Sequence, residues 1–309
     1  SSPEMRSRYL GPLWDRCRVR GTRFDTGDGL RIALSAGASA CGEWSGCHAT
    51  PIDATAPRYG SLALWDKTNR LSYPYSIMVD REGQRFVDEG EDFAGFTYAK
   101  YGRVILGRPG ALAYQIFDAK CEGLLEPRYS TGVPAVAGTV DELAHRLGID
   151  PDTLQETVAA FNAAVDEATF QPGVLDGKRT RGITPAKTNW AQRLDTPPFT
   201  AYPVTCGITF TFGGIEINAH CAGKAKGDKV GIGYTTFSLA DLKNLNQPIG
   251  IAADFRIVLH ELLGHGVLYN HIAAALFKFA HSAGDSFAAV VNDPGSKAPD
   301  RYATFPWLT

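Results

Sequence analysis

The segment Pro197-Pro-Phe-Thr-Ala-Tyr-Pro-Val-Thr-Cys-Gly-Ile-Thr-Phe-Thr-Phe-Gly-Gly-Ile-Glu-Ile-Asn218 is rich in threonine and aromatic residues. These residue types favour β-strands. The pair Gly213-Gly214 predicts a turn between two strands, and glycine at such a place lets a ligand approach the backbone closely. We therefore expect β-structure here, with Gly213 and Gly214 as candidate ligand-binding residues.

Two helices are predicted upstream, between residues 139 and 168. Asp150 is expected to cap the second helix, with Pro151 at its first helical position. Three apolar residues of that helix recur at helical spacing and are expected to face the core: Leu154, Val158 and Phe161. These helices are interpreted as structural.

The remaining central segments are shorter. Residues 76–88 predict two strands around a Glu-Gly turn, and residues 113–118 predict a further strand. Residues 41–50 are rich in small side chains and are interpreted as a loop. The polar, Gly- and Pro-bearing residues 171–188 are expected to form an exposed connection.

Near the amino terminus, Thr26-Gly-Asp-Gly29 predicts a tight turn that leads into a helix capped by Asp28. The start of such a helix presents free backbone N–H groups, which suit an anionic ligand. An ordinary capped helix without a ligand explains the same residues, so the pattern alone leaves both interpretations open.

Taken together, six segments in this order resemble the flavoprotein subunits of the fumarate reductase and succinate dehydrogenase superfamily, and in particular its tricarballylate dehydrogenase-like members. They are Thr26-Gly-Asp-Gly29, Trp44-Ser-Gly-Cys-His48, Gly83-Gln-Arg-Phe-Val-Asp-Glu89, the helix pair at 139–168, Lys187-Thr-Asn-Trp190 and Gly207-Ile-Thr-Phe-Thr-Phe-Gly-Gly214. The resemblance covers residues 1–218. It implies an α+β fold, with a capping domain at about 55–190 flanked by strands of an FAD domain.

The resemblance also implies chemistry and site residues. The implied reaction exchanges a hydride between flavin N5 and a carbon–carbon bond beside carboxylates, with a small polycarboxylate as substrate. FAD would be held by Thr26, Gly27, Asp28, Gly29, Gly213 and Gly214. Tyr98 stands where fumarate reductases have their proton-donating arginine, and Phe210 stands where they have a substrate-binding histidine. The sequence has no Gly-x-Gly-x-x-Gly fingerprint, which normally cradles the FAD pyrophosphate.

A second chemical pattern lies in residues 254–271, where His260 and Glu261 are adjacent and His265 follows. The spacing of the two histidines is i,i+5, which turns them roughly 140° apart on a regular helix. A one-residue bulge at Gly264 would bring them together. The pattern resembles the lengthened zinc motif of the dipeptidyl-peptidase III family, which implies Zn²⁺ held by His260 and His265 and Glu261 as general base.

A catalytic zinc site requires a third protein ligand. His281 is the preferred candidate, with Asp285 four residues later to orient its imidazole. His271 is the alternative third ligand, because five residues separate it from His265. Residues 230–309 are therefore predicted to form a mainly helical, zincin-like segment acting on a peptide, joined to the first part by a junction at 219–229.

Composition sets limits on partners. Lys and Arg total 31 and Asp and Glu total 33, so the net charge of −2 gives no reason to expect nucleic acid binding. No apolar run approaches the roughly 20 residues of a membrane helix. The six cysteines are scattered, which favours free thiols in a reducing compartment. We expect a soluble, cytoplasmic protein without a signal peptide, and the sequence indicates no oligomeric state.

Three hypotheses about function remain from the sequence. The first is an FAD-dependent oxidoreductase of a small polycarboxylate, carried by residues 1–218. The second is a zinc-dependent metallopeptidase, confined to residues 230–309. The third is a non-catalytic protein, either truncated or chimeric, in which the two parts were joined near residues 219–229.

Overall fold

A computed structural model describes residues 1–61 and 63–216, together with the backbone of two short strands farther along the chain. The chain divides into two compact units, one made of Ser1–Ser35 and Ser39–Glu216 and the other of Ala36–Ala38 and Ile217–Thr309. In the second unit, the described strands Ala222–Lys224 and Gly231–Gly233 pair in antiparallel fashion. The predicted boundaries at 218, 219–229 and 230 stay predictions.

The described part of the first unit contains a mixed sheet and five α-helices. The strands are β1 (Arg18–Val19), β2 (Ala40–Asp53), β3 (Ile77–Asp80), β4 (Leu112–Phe117), β5 (Ala135–Ala137) and β6 (Phe199–Ile215). The helices are α1 (Pro3–Leu10), α2 (Asp28–Ser35), α3 (Ala94–Leu106), α4 (Val140–Leu147) and α5 (Pro151–Ala164). This is the α+β architecture that the sequence predicts for residues 1–218.

Strand β6 organises the sheet. It pairs with β2, β4 and β5 in antiparallel fashion and with β1 in parallel, while β3 extends the sheet beyond β4. The predicted turn at Gly213-Gly214 is wrong, because β6 continues through both glycines to Ile215. Its partner β2 runs alongside the same residues and supplies hydrogen bonds that the local sequence does not reveal.

The predicted loop at 41–50 is wrong for the same reason, since these residues belong to β2. The small residues allow two strands to approach closely rather than marking a loop. Gly42 has a φ of 78°, and a Cβ at this position would lie 2.4 Å from the carbonyl oxygen of Phe212. Only glycine fits there without moving the backbone of β6.

The two predicted helices are confirmed as α4 and α5. Thr139 accepts a hydrogen bond from the Glu142 N–H at 3.1 Å, and Asp150 accepts one from the Thr153 N–H at 2.9 Å. Pro151 begins α5, as predicted. The predicted apolar stripe is buried against β3, β4 and β6, in one core with Ile77, Ile116 and Ala201: Leu154, Val158 and Phe161.

Two other predictions are only partly confirmed. Residues 113–118 fall mostly in β4, but residues 76–88 contain one strand, β3, and then a turn at Gly83 with a single bridge between Val79 and Arg85. The guanidinium of Arg85 pairs with Glu89, with Nε 3.0 Å from Oε1. In the predicted exposed connection at 171–188, Lys187 is buried.

Lys187 lies in a buried charged cluster. Its Nζ donates to the Ser76 carbonyl oxygen, and Glu89, which is fully buried, lies near enough to affect its charge. Burial lowers the pKa of Lys187 to about 8, although Glu89 opposes this shift. The unfolded chain therefore binds more protons than the folded chain between pH 8 and 10.5.

Lys187→Met is expected to remove a pH-dependent part of the stability. Because the lysine pKa is lowered on folding, the unaltered chain gains stability as pH rises from 8 to 10.5, by about 3 kcal/mol for this group. The variant should lack that increase. Chemical denaturation at both ends of the window measures it, with Lys100→Met, at an exposed ion pair with Glu91, as the control. Equal pH dependence in the two variants would contradict the expectation.

Candidate active site

His48 lies between two aromatic rings where β2 meets β6. The register places His48 opposite Phe210, and the two rings are stacked with centroids 4.8 Å apart. Tyr98, on α3, contacts the imidazole edge-on with ring centroids 4.8 Å apart. The strand pair and the helix therefore hold the imidazole and the phenol side by side.

The imidazole of His48 has an unused hydrogen-bonding atom. The residue is buried, and within the described part of the chain its Nδ1 has no hydrogen-bond partner. Burial, and then the positive charge of Arg20, lower the pKa of His48 to about 4. At neutral pH the ring is therefore uncharged and can make a hydrogen bond to a ligand.

Two arginines next to His48 and Tyr98 hold a carboxylate. Arg20 follows β1, and its Nη1 lies 3.1 Å from Oδ1 of Asp66; Nη2 of Arg128 lies 2.8 Å from Oδ2. The Asn69 amide donates to the same Oδ1 at 2.7 Å. We call Arg20, Asp66 and Arg128 the arginine clamp. It shows that the space between the two guanidinium groups accepts a carboxylate.

The arginine clamp lies close enough to Tyr98 to affect its ionisation. Burial raises the pKa of Tyr98 above its ordinary value, Arg20 and Arg128 act to lower it, and Asp66 acts to raise it. The phenol is therefore protonated at neutral pH and can donate a proton or a hydrogen bond. A carboxylate site, a protonated phenol and a neutral imidazole thus meet in one place.

A buried ion pair holds the backbone segments that carry two residues of the arginine clamp. Arg70 is fully buried, and its Nη2 lies 2.6 Å from Oδ2 of Asp53. Its Nη1 donates to the carbonyl oxygens of Lys67, Asn69 and Arg128 at 2.9–3.0 Å. One guanidinium therefore ties together the two segments that carry Asp66 and Arg128.

Of the predicted cofactor residues at 26–29, Thr26 and Gly27 precede α2, and Asp28 and Gly29 are its first two residues, so Asp28 begins the helix and is not the cap that the sequence predicts. Thr26 Oγ1 donates to Oδ2 of Asp28 at 2.5 Å, and Arg31 also donates to this carboxylate. These bonds, from Thr26 first, lower the pKa of Asp28. Gly27 has a φ of 81°, which favours glycine. The turn lies beside a cleft of about 960 Å³ lined by Thr26 and by three arginines: Arg8, Arg23 and Arg31.

The other predicted cofactor residues lie elsewhere. Gly213 and Gly214 are opposite Gly42 and Cys41 in the ladder of β2 and β6. The beginning of β2 follows the carboxyl end of α2 by only five residues. The two glycines therefore lie towards the carboxyl end of α2, and residues 26–29 are at its amino end, roughly 12 Å away along the helix.

The structure groups Tyr98 with residues that the sequence did not single out as a site: Arg20, His48, Asp66 and Arg128. His48 is the last residue of the segment Trp44-Ser-Gly-Cys-His48, but the family resemblance gave it no role of its own. Arg20 could have been found from the alternation of Arg16, Cys17, Arg18 and Val19 before it, which is a strand pattern with one basic face.

The zinc prediction concerns residues outside the described part of the chain. They are His260, Glu261, His265, His271, His281 and Asp285. Among the described residues, no group of three or more histidine, cysteine, aspartate or glutamate side chains could hold a metal ion. The zinc site and the metallopeptidase activity stay predictions from the sequence.

Comparison with known families identifies the chain as a flavoprotein. The family model described as the FAD binding domain matches residues 11–231, and the chain belongs to this family. The 4-oxocyclohex-2-ene-1-carboxylate 5-dehydrogenase of Sinomonas cyclohexanicum is 30% identical over 216 residues, covering 62% of this chain and 35% of that protein. The fumarate reductase (cytochrome) of Shewanella frigidimarina is 31% identical over 195 residues, covering 62% and 30%. The chain thus spans about a third of the length of these relatives.

Solved structures show the same fold. The open conformation of a flavocytochrome c3 fumarate reductase aligns with a TM-score of 0.54 and 23% identity, covering 72% of this chain and 36% of that chain. The 3-ketosteroid delta1-dehydrogenase from Sterolibacterium denitrificans aligns with a TM-score of 0.52 and 21% identity, covering 75% and 44%. None of the helices in the described residues is long and apolar enough to cross a membrane.

The described residues fit parts of the FAD that the family implies. The cleft beside Thr26 has a volume typical of ligand sites, and its lining has three arginines against one acidic residue, Glu4, which leaves positive charge for phosphates. In the β2 and β6 pair, three polar atoms are buried without a partner in the described region and could meet the polar edge of a ring system: Trp44 Nε1, His48 Nδ1 and Thr209 Oγ1. The glycine-rich pyrophosphate cradle is not in this sequence.

Proposed function

We propose that the chain forms the substrate half of an FAD-dependent dehydrogenase for a small polycarboxylate, similar to tricarballylate dehydrogenases. The observation that carries this proposal is the arginine clamp, which holds the Asp66 carboxylate between Arg20 and Arg128 beside Tyr98 and His48. A polycarboxylate presents the same chemical group, and charge-assisted bonds from two guanidinium groups bind it with defined orientation.

The arginine clamp would position the substrate. A substrate carboxylate takes the place of Asp66 between the two guanidinium groups, and the displaced Asp66 side chain, which is 42% exposed, turns to solvent. His48, uncharged and with Nδ1 free in the described part, donates or accepts one hydrogen bond to a further oxygen of the substrate. Phe210 packs on the imidazole and keeps the ring in place.

Tyr98 would move the proton of the reaction. FAD, when bound, would supply the hydride chemistry at a substrate carbon. The neighbouring carbon gains or loses a proton, and the Tyr98 hydroxyl is the group in the site suited to this transfer. In the direction of reduction the protonated phenol is the donor; in the direction of oxidation the phenolate is the acceptor.

Two regions would hold FAD. The backbone N–H groups at the start of α2 and the arginines of the adjacent cleft suit an anionic part of the cofactor. The unpartnered Trp44 Nε1 and Thr209 Oγ1 of the β2 and β6 pair suit the flavin ring. Gly213 and Gly214, on the same β6, stay candidate cofactor residues by resemblance.

A binding and turnover experiment tests this function. The purified 309-residue chain is titrated with FAD, and flavin absorbance and fluorescence are followed. We expect a yellow complex that reduces an artificial electron acceptor when tricarballylate is added. Arg20→Ala should raise the KM at least about tenfold, because it removes charge-assisted hydrogen bonds, whereas the exposed Arg146→Ala should not. A colourless chain that ignores added FAD would reject the proposal.

A further inference from the structure

Three arginines line a second, smaller cavity in the described part of the chain. Its volume is about 300 Å³, and Arg16, Arg18 and Arg58 line it together with Gly110, Ala111 and Thr205. We call it the outer arginine pocket. The pocket is lined by three cations and no acidic side chain, which is the arrangement expected for an anion site.

The charges of the outer arginine pocket are not balanced by nearby carboxylates. Arg18 donates to the Ala56 carbonyl oxygen, and Arg58 donates to the Asp15 carbonyl oxygen at 3.2 Å. Within residues 1–61 and 63–216, neither they nor Arg16 forms an ion pair. Asp53 contributes to the field at Arg18, but it is held by Arg70 at 2.6 Å. Mutual repulsion between the three guanidinium groups would be relieved by a bound anion.

The outer arginine pocket and the arginine clamp are linked through neighbouring residues, because Arg18 of the pocket lies in β1 and Arg20 of the clamp directly follows this strand. Val19 is buried, and the Arg20 N–H continues the pairing of β1 with the Ile208 carbonyl oxygen, so Arg18 and Arg20 project to the side of the chain opposite Val19. The Cα atoms of Arg18 and Arg20 are therefore about 7 Å apart, two residues along the strand. An anion bound at Arg18 in the outer pocket is therefore two residues along the chain from Arg20 of the clamp.

We propose that the outer arginine pocket binds a carboxylate group of a small polycarboxylate and serves as an outer recognition site for the substrate on its way to the clamp. The choice of ligand rests on the proposed function, whereas the existence of an anion site rests on the cavity and its charges. The positive charges of the pocket and of Arg20 raise the local concentration of polyanions near Tyr98.

Citrate, a tricarboxylate, is the probe for this site. Its binding to the complete chain is measured by calorimetry at two salt concentrations. The variant Arg16→Ala/Arg58→Ala changes two exposed side chains of the pocket and leaves the half-buried Arg18 in place. It should bind citrate roughly tenfold more weakly or worse, and lose part of the salt dependence. The control is Arg146→Ala/Arg179→Ala, two exposed arginines that do not line the pocket.

Three other outcomes test separately the anion site, its polycarboxylate ligand and the proposed function. Unchanged citrate affinity in Arg16→Ala/Arg58→Ala overturns the outer pocket. Inorganic phosphate that binds the unaltered chain as tightly as citrate, with the same dependence on Arg16 and Arg58, overturns the assignment to a polycarboxylate. If the chain shows no FAD-dependent turnover but citrate binding depends on these two arginines, the anion site stands and the proposed function fails.

Discussion

A Tyr98→Phe variant loaded with FAD is expected to oxidise tricarballylate about 10²–10⁴-fold more slowly than the unaltered chain. The variant lacks the hydroxyl that would accept the substrate proton but keeps the ring that packs against His48 with centroids 4.8 Å apart. The loss should therefore appear in kcat, while KM changes little because the arginine clamp is intact.

The pH profile gives a readout that a packing defect would not change. Burial raises the pKa of Tyr98 above its ordinary value of 10.0, so the fraction of phenolate keeps increasing through the alkaline range. Oxidation by the unaltered chain should accelerate with pH over that range, and the remaining activity of Tyr98→Phe should not.

A matched variant controls for the loss of a tyrosine hydroxyl. Tyr114→Phe removes one hydroxyl hydrogen bond, to the Leu147 carbonyl oxygen at 3.2 Å, in the core formed with α4 and α5. It should retain activity. Full activity in Tyr98→Phe would exclude the proton-transfer role and leave His48 as the remaining acid–base candidate beside the clamp.

Local signals in the sequence predict α2, α4 and α5 but miss α1, α3 and the longest strands. The caps of α4 and α5 lie within three residues of the N–H groups that they bind, so the information is local. By contrast, β2 and β6 are stabilised by each other across more than 150 residues of chain. Gly42 and Gly213 indicate turns when they are considered alone, and only the pairing shows that they permit close contact between strands.

The candidate site also contains one residue that the sequence identifies and others that only the fold brings together. Tyr98 could be assigned because a family resemblance aligned it with a catalytic position. The arginine clamp could not be assigned, because Arg20, Asp66 and Arg128 come from three distant segments and are brought together by the fold. The basic alternation at residues 16–20 was visible in the sequence, but its meaning depends on the pairing of β1 with β6.

Arg70→Met is expected to lower the free energy of unfolding by roughly 3–5 kcal/mol, which is the usual cost of removing one partner from a buried ion pair. The substitution leaves the Asp53 carboxylate without its guanidinium partner at 2.6 Å. It also leaves the carbonyl oxygens of Lys67, Asn69 and Arg128 without their donor. Chemical denaturation measures the change.

Two comparisons separate the buried charge from the lost hydrogen bonds. Adding Asp53→Asn to Arg70→Met removes the uncompensated charge and should recover part of the stability. Lys100→Met, which breaks the exposed pair with Glu91, should cost at most about 1 kcal/mol. A loss in Arg70→Met no larger than that in Lys100→Met would mean that the Asp53–Arg70 pair does not stabilise the fold.

The same Arg70 variant links stability to the site. Because Arg70 fixes the backbone around both Asp66 and Arg128, the arginine clamp should become less well ordered even under conditions in which the chain remains folded. The KM for tricarballylate should then rise in Arg70→Met although no residue of the clamp has been changed. An unchanged KM in the folded variant would show that the clamp keeps its geometry without this support.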